Sequence, residues 1–414
     1  MNRHTVRTTP ALLLLFGSVG FAADWPHWRG PNGTGTAEGN LPSKDDLLWK
    51  VAIPGKGNGS PVVAGGHVFL PTAAPDGSRR TLVCLDATDG KAVWTTSHDA
   101  QAGRTHAKGS LASNTPAADG TGVYCAWWDG PTISLRAYDR ATGKERWAAP
   151  LGNQVSQHGA HYSPAVHAGL VFVNVDQDDG AELFAFEVKS GKKAWSAVRP
   201  HVRACYTMPV VLEREGKSPQ LVVGNSKAID SYDPKTGEVN WHYGIPWSKD
   251  QMPLRMIGAP QFTQGLLVAN TGDGAGSRYA FAITPDGSGD ISKTPRAWEA
   301  KRDTPYIPGI VAHGEHLFWV TDRGWAVCAE AKTGRIVWNE RVFARDVSAS
   351  PILLSNGVLA VSEDGRVATW KAAKEFELID QWNLGERVIA SPAAANGRVY
   401  IRGDSHLFCY GKKK

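Results

Sequence analysis

The chain has 414 residues, 21% of them charged and 42% hydrophobic, an ordinary globular balance. Its formal net charge of +5 is weak and mixed, and points to neither nucleic acid nor an anionic membrane as a partner. Trp is over-used at 16 copies, and 45 Gly and 25 Pro are spread along the chain, as suits many short strands joined by turns.

The chain opens with Arg3 and Arg7, an apolar run from Ala11 to Ala22, and small residues at Gly20-Phe21-Ala22. This order predicts an export signal peptide over residues 1–22. The run is about a dozen residues, short of the roughly 20 needed to span a bilayer, and no other stretch is long enough. The first cysteine is Cys84, so no lipid anchor at a new N-terminal Cys is expected. Loss of the leader removes two Arg and no acid, taking the formal charge from +5 to +3. The expected product is exported, periplasmic or extracellular, without a transmembrane segment, and monomeric. Residues 23–46 form an N-terminal arm that begins Asp24-Trp25-Pro26-His27-Trp28-Arg29-Gly30-Pro31.

From residue 47 to 412 a pattern repeats: a small residue, an apolar one, an acid, turn residues with Gly, then a strand ending in Trp. It reads Cys84-Leu85-Asp86 to Trp94, then Ala137-Tyr138-Asp139-Arg140-Ala141-Thr142-Gly143-Lys144 to Trp147, with later copies ending at Trp195, Trp241 and Trp338. Trp298 and Trp382 close degenerate copies, and Trp49 stands alone near the start. A second marker runs out of phase with the first. Short apolar strands open with Pro at 61, 116, 164, 209, 260, 308, 351 and 392, and five of these follow Ser or Thr. Pro is tolerated on an edge strand, and the innermost strand of a propeller blade is such an edge.

Each repeat then reads as four strands, for example 60–63, 67–71, 81–86 and 91–95. Repeats of about 40–50 residues built this way predict an all-β, eight-bladed β-propeller of four-stranded antiparallel blades. The chain begins with a closing Trp strand and ends with an opening strand and Leu407-Phe408-Cys409-Tyr410. The last blade therefore lacks its outer strand, which Leu47-Leu48-Trp49-Lys50-Val51 can supply, closing the ring. Seven blades plus a loose strand is the alternative.

The motif Ala-x-Asp-x-x-Thr-Gly-Lys-x-x-Trp at Ala137 to Trp147 resembles the tryptophan-docking repeat of PQQ-like propellers, a family shared by quinoprotein alcohol dehydrogenases and the outer-membrane assembly factor BamB. The resemblance covers residues 47–410. It implies that each Trp stacks between adjacent blades, so the motif itself is structural.

Cys84, Cys328 and Cys409 occupy one repeat position, filled elsewhere by Ala137, Ala185 and Ser231, which marks a small-residue packing slot rather than a disulfide framework. Cys125 falls in an apolar strand, and Cys205 alone in a loop.

In a propeller the segment from each outer strand to the next inner strand surrounds one mouth of the channel. Seven of these segments carry a basic residue five or six positions before the opening Pro: Lys56, His158, Arg203, Arg255, Arg302, Arg345 and Arg387. Lys108 lies eight before. Two readings stay open, a positive ring that focuses an anion at the funnel and a repeated structural salt bridge with Asp99, Asp250, Asp303, Asp346 and Glu386. His158 and His161, near Cys205 and Tyr206, are candidate acid–base or metal groups, but two His without a third ligand assign no metal. Asp176-Gln177-Asp178-Asp179-Gly180 reads as a solvated hairpin turn in preference to a calcium loop, since it lacks the spacing and distal Glu.

The resemblance supports two functions. The first is a binding or scaffold propeller, holding protein partners or a small anionic ligand at the funnel, with no cofactor assigned. The second is a PQQ-dependent dehydrogenase oxidising an alcohol or sugar. Such enzymes stack the quinone between a Trp and a disulfide of adjacent Cys, beside calcium and a catalytic Asp. No two Cys are adjacent here and no catalytic residue can be assigned, although Trp247 could stack on a planar ligand.

Overall fold

A computed structural model describes residues 24–156, 158–355 and 357–413; the expected leader over residues 1–22 lies outside them. The described residues form eight sheets arranged as blades, each a meander of antiparallel strands. The first blade comprises Val62–Ala64, His67–Ala73, Arg79–Asp86 and Ala92–Asp99, from innermost to outermost. The eighth comprises Ala393–Ala395, Arg398–Arg402, His406–Gly411 and, as its outermost strand, Leu47–Ala52. Trp49 pairs with Cys409 across that junction. The N-terminal strand thus closes the ring, as the phase of the two markers predicts.

The small-residue slot has a direct cause. Cys84, Ala137, Ala185, Ser231, Cys328 and Cys409 are each the cross-strand partner of a blade-closing Trp. The indole fills the space above its neighbour, so that neighbour has to be small. All six are fully buried, and all five cysteines are buried and unbridged.

Each indole then reaches the next blade. Trp94 donates its ring N–H to the Arg140 carbonyl at 3.1 Å, Trp147 to Val188 at 3.0 Å and Trp195 to Pro234 at 3.1 Å. The rings lie on the glycine of the neighbouring turn. A Cβ at Gly143 would sit 2.5 Å from the Trp94 ring, and φ there is +72°, so both space and backbone demand Gly. Trp49, Trp147, Trp195 and Trp298 rest in the same way on Gly90, Gly191, Gly237 and Gly334. The fourth blade departs from this pattern. Its Trp241 bonds Gln220 within its own blade, and Gly289–Asp290 adds a short parallel strand alongside.

The Ser/Thr-Pro marker also has a cause. The Ser350 amide donates to the Ser391 hydroxyl, Ser391 to Ser60, Ser60 to Thr115 and Thr115 to Ser163, at 2.9–3.0 Å. A belt of hydroxyls thereby links successive inner strands where the Pro rings leave gaps in the ladder.

The arm fills the lower channel. Trp25 is fully buried and pairs with Val63, the Pro26 carbonyl accepts from Ala118, and Gly35 accepts from Leu353. Thr36–Ala37 joins the seventh blade as a parallel strand. Arg29, 1% exposed, donates to the carbonyls of Gly33, Thr34 and Ile310. These contacts reach inner strands from both halves of the chain, so the arm acts as an axial plug.

One local expectation is corrected. Asp176 does not belong to a solvated turn: it is fully buried and accepts two bonds from the equally buried Arg199, at 2.8 and 2.9 Å. It ends the second strand of its blade, Leu170–Asp176, where the interior still surrounds it. Asp178 and Asp179 form the exposed tip.

Candidate functional site

Each antiparallel blade sends two kinds of connection to the upper mouth: the loops between blades, and the hairpins joining second and third strands. Together they line a cavity of about 1000 Å³ over the axis. Its wall carries seven Lys or Arg against three Asp. From the interblade loops come Lys108, His158, His161, Arg203, Arg255 and Arg345. Arg341 enters from the end of the outer strand Ile336–Arg341, and from the hairpins and adjoining strands come Asp273, Arg278, Asp322 and Arg323, which counting back from the opening Pro misses. The signal for them is a charged turn between second and third strands, as in Thr321-Asp322-Arg323-Gly324.

The structure brings together His158, His161, Arg203, Arg255 and Arg345, and leaves two candidates apart. Arg387 lines an adjoining hollow of about 680 Å³, which it shares with Arg345, Asp346, Glu363 and Glu386. Trp247 is outside both: its ring packs on Tyr279 at 5.7 Å, and its N–H donates to the Ser226 carbonyl at 2.7 Å. Lys56 and Arg302 are exposed and line neither.

Both readings of the basic ring are represented. Lys108 crosses to Glu363 at 2.7 Å and Asp346 at 3.0 Å, and Arg278 pairs with Asp322 at 3.1 Å. Those cations are structural. Arg203, Arg255, Arg323 and Arg345 have no carboxylate partner among the described residues; Arg203 donates to the Pro253 carbonyl at 3.3 Å. Their charge faces the cavity uncompensated.

One sector of the wall is built most tightly. The Met256 amide donates to Cys205 Sγ at 3.3 Å, the Tyr206 amide to the Met256 carbonyl at 3.1 Å, and the Cys205 amide to the Asp176 carbonyl. Arg255–Met256 also pairs with Thr271 and Gly272 of the fifth blade. Cys205 is thus a buried linchpin, and burial pushes its thiol up to about 12, which removes it as a nucleophile. Tyr206 Oη and Ser156 Oγ are 2.8 Å apart, and the Tyr206 ring meets His161 edge-on at 5.1 Å. His158 faces His106 at 5.4 Å. Burial, then the positive charge of Arg255, lower the pKa of His158 to about 4, so it is neutral at pH 7. His161 is half-buried, bonded to the His158 carbonyl at 2.7 Å, and lowered by desolvation. Among the described residues no three His, Cys, Asp or Glu come together as metal ligands.

The comparisons agree with this architecture. Solved structures similar to the chain include BamB from Moraxella catarrhalis, with a TM-score of 0.63 at 14% identity, covering 89% of this chain and 97% of that one. Quinohemoprotein alcohol dehydrogenase from Comamonas testosteroni gives 0.69 at 14% identity, covering 94% and 81%. Among curated proteins, quinohemoprotein alcohol dehydrogenase ADH IIB from Pseudomonas putida is 26% identical over 282 residues, 63% of this chain. The match spans 40% of that relative's own length. The sequence profile described as outer membrane protein assembly factor BamB matches over residues 42–126, 78–338 and 288–405. With its docked tryptophans and closed eight-bladed ring, the chain belongs to that BamB-like family of PQQ-repeat propellers.

Proposed function

We propose that this chain is an exported binding propeller whose upper funnel holds a carboxylate-rich anion, presented either by a small multivalent acid or by an acidic stretch of a polypeptide. The observation that carries the reading is the uncompensated charge of Arg203, Arg255, Arg323 and Arg345 around one cavity. Low-dielectric walls concentrate such a field, and Arg matches carboxylate geometry with two parallel donors.

The residues present do not fit the quinone site of the dehydrogenases. The cations suit its carboxylates, but no Trp lines the cavity among the described residues and no two Cys are adjacent, where those enzymes stack the ring between a Trp and an adjacent-Cys disulfide. Trp247 is committed to Tyr279, and the five cysteines lie apart in buried positions. We derive no redox step.

Titration of citrate and of an oligo-glutamate peptide by calorimetry tests the reading. Binding of either, weakened by Arg345→Ala without loss of melting temperature, supports it, and the preferred probe identifies the source of the carboxylates. Absence of binding by both refutes it.

A further inference from the structure

The buried arginines of this protein share a habit that one of them breaks. Arg80 donates to the carbonyls of Trp128, Gln101 and Gly77 at 2.7, 2.8 and 3.0 Å. Arg402 donates to Gly59 at 2.7 Å, Arg29 stitches the plug, and Arg199 holds Asp176. Each has at least one nitrogen bonded to a carbonyl or carboxylate of the protein, although Arg29 Nη1, Arg199 Nε and Arg402 Nε have no hydrogen-bond partner among the described residues. Arg255 is 5% exposed and lines the funnel; its Nε has no partner and it forms no ion pair among the described residues, and the side chain that meets its guanidinium is the neutral Tyr306 hydroxyl. A desolvated guanidinium left without a counter-charge is costly, and the usual remedy is an anion. Its neighbours do not neutralise it. His158 and Tyr206 are uncharged at neutral pH, and Asp178, which acts on both, is exposed and accepts the Ala204 amide at 2.9 Å.

The wall beside it is apolar and rigid. Tyr206 is held by Ser156, His161 and Tyr162, Tyr306 lies against the backbone of Gly272, and Ile257 lines the same cavity. A charged donor set among fixed aromatic faces selects a ligand that is anionic at one end and flat and apolar beside it. We propose that Arg255 anchors a discrete subsite of the funnel that takes a single carboxylate attached to a planar apolar body, which lies against Tyr206, Tyr306 and Ile257. This rests on the reading of the funnel as an anion site, and adds that one arginine, rather than the diffuse field, recognises the carboxylate.

The probe is 1-naphthoate, with 1-naphthamide as its neutral counterpart, titrated into the full-length protein at physiological salt. Wild type is expected to bind naphthoate and not naphthamide. Arg255→Gln is expected to weaken naphthoate on the order of tenfold or more, as for loss of a charged hydrogen bond. Arg345→Gln, at an exposed position, should cost a few-fold at most. Because Arg255 carries an uncompensated charge, Arg255→Gln should melt no lower than wild type, whereas a purely structural arginine would lower the melting temperature. Arg255→Lys retains the charge without the fork, and should fall between wild type and Gln in naphthoate affinity. Equal weakening by Arg255→Gln and Arg345→Gln would overturn the subsite while leaving the anionic funnel standing. Failure of wild type to bind naphthoate would also overturn it, and citrate binding in the same samples then decides whether the broader reading falls too.

Discussion

Replacing Gly143 by Ala tests the interblade docking that holds the ring together. The new Cβ would lie 2.5 Å from Cε3 and 2.6 Å from Cδ2 of Trp94, atoms of a ring that is itself fixed by the bond to the Arg140 carbonyl. Two costs add. Holding Ala at φ +72° costs about 1–2 kcal/mol. Displacing a packed indole costs a further 1–3 kcal/mol, roughly, a figure that includes the loss of its hydrogen bond. Gly216 supplies the control. It has φ +69°, and a Cβ there meets nothing within 4 Å, so Gly216→Ala carries the backbone cost alone. Chemical denaturation monitored by tryptophan fluorescence should place Gly143→Ala about 2–5 kcal/mol below wild type, and Gly216→Ala about 1–2 kcal/mol below it. Equal losses at the two sites would show that the indole contributes no docking energy, and would refute the account of the repeat.

Ser391→Ala removes the acceptor of the Ser350 amide in the hydroxyl belt, and should cost about 1–3 kcal/mol by denaturant midpoint. Asp176→Asn leaves the buried Arg199 with Asp230, at 3.6 Å, as its one carboxylate among the described residues, and should cost about 3–5 kcal/mol in the same assay. His27 in the plug is 5% exposed, and burial lowers its pKa from 6.5 to about 4. Folding therefore favours the neutral ring: its contribution is intact above pH 6.5 and is lost as pH falls toward 4, on the order of 3 kcal/mol in all. Melting temperatures across that window should fall less steeply for His27→Gln than for wild type. Deleting residues 24–52 should expose the edge of His406–Gly411 and produce oligomers, read by light scattering.

The architecture was legible because its markers are forced by local packing. A closing Trp needs a small cross-strand partner and a glycine in the next blade, and an inner edge strand tolerates Pro. These constraints recur in most of the blades, so their phase reveals the ring and its closure. The site was only half legible. Counting back from Pro finds Arg203, Arg255 and Arg345, since interblade loops keep a fixed distance from the inner strand. It does not separate Lys108, which is neutralised by Glu363 and Asp346, from Arg255, which meets no acid. That difference depends on contacts between residues 238 or more positions apart. Trp247 was a candidate to stack on a planar ligand, but its ring packs instead on Tyr279 of the following blade. The plug was invisible as such, because the arm has no repeat and its partners are distributed around the whole ring.

The central claim, an anion-holding funnel, is tested most directly by the affinity of an oligo-glutamate peptide from about 0.05 to 0.5 M salt, in wild type and in an Arg203→Gln, Arg323→Gln, Arg345→Gln variant. The account predicts affinity that falls steadily with salt in wild type, and weaker binding with a flatter salt dependence in the variant, at an unchanged melting temperature. Binding that is indifferent to salt, or equal in the two proteins, would contradict it.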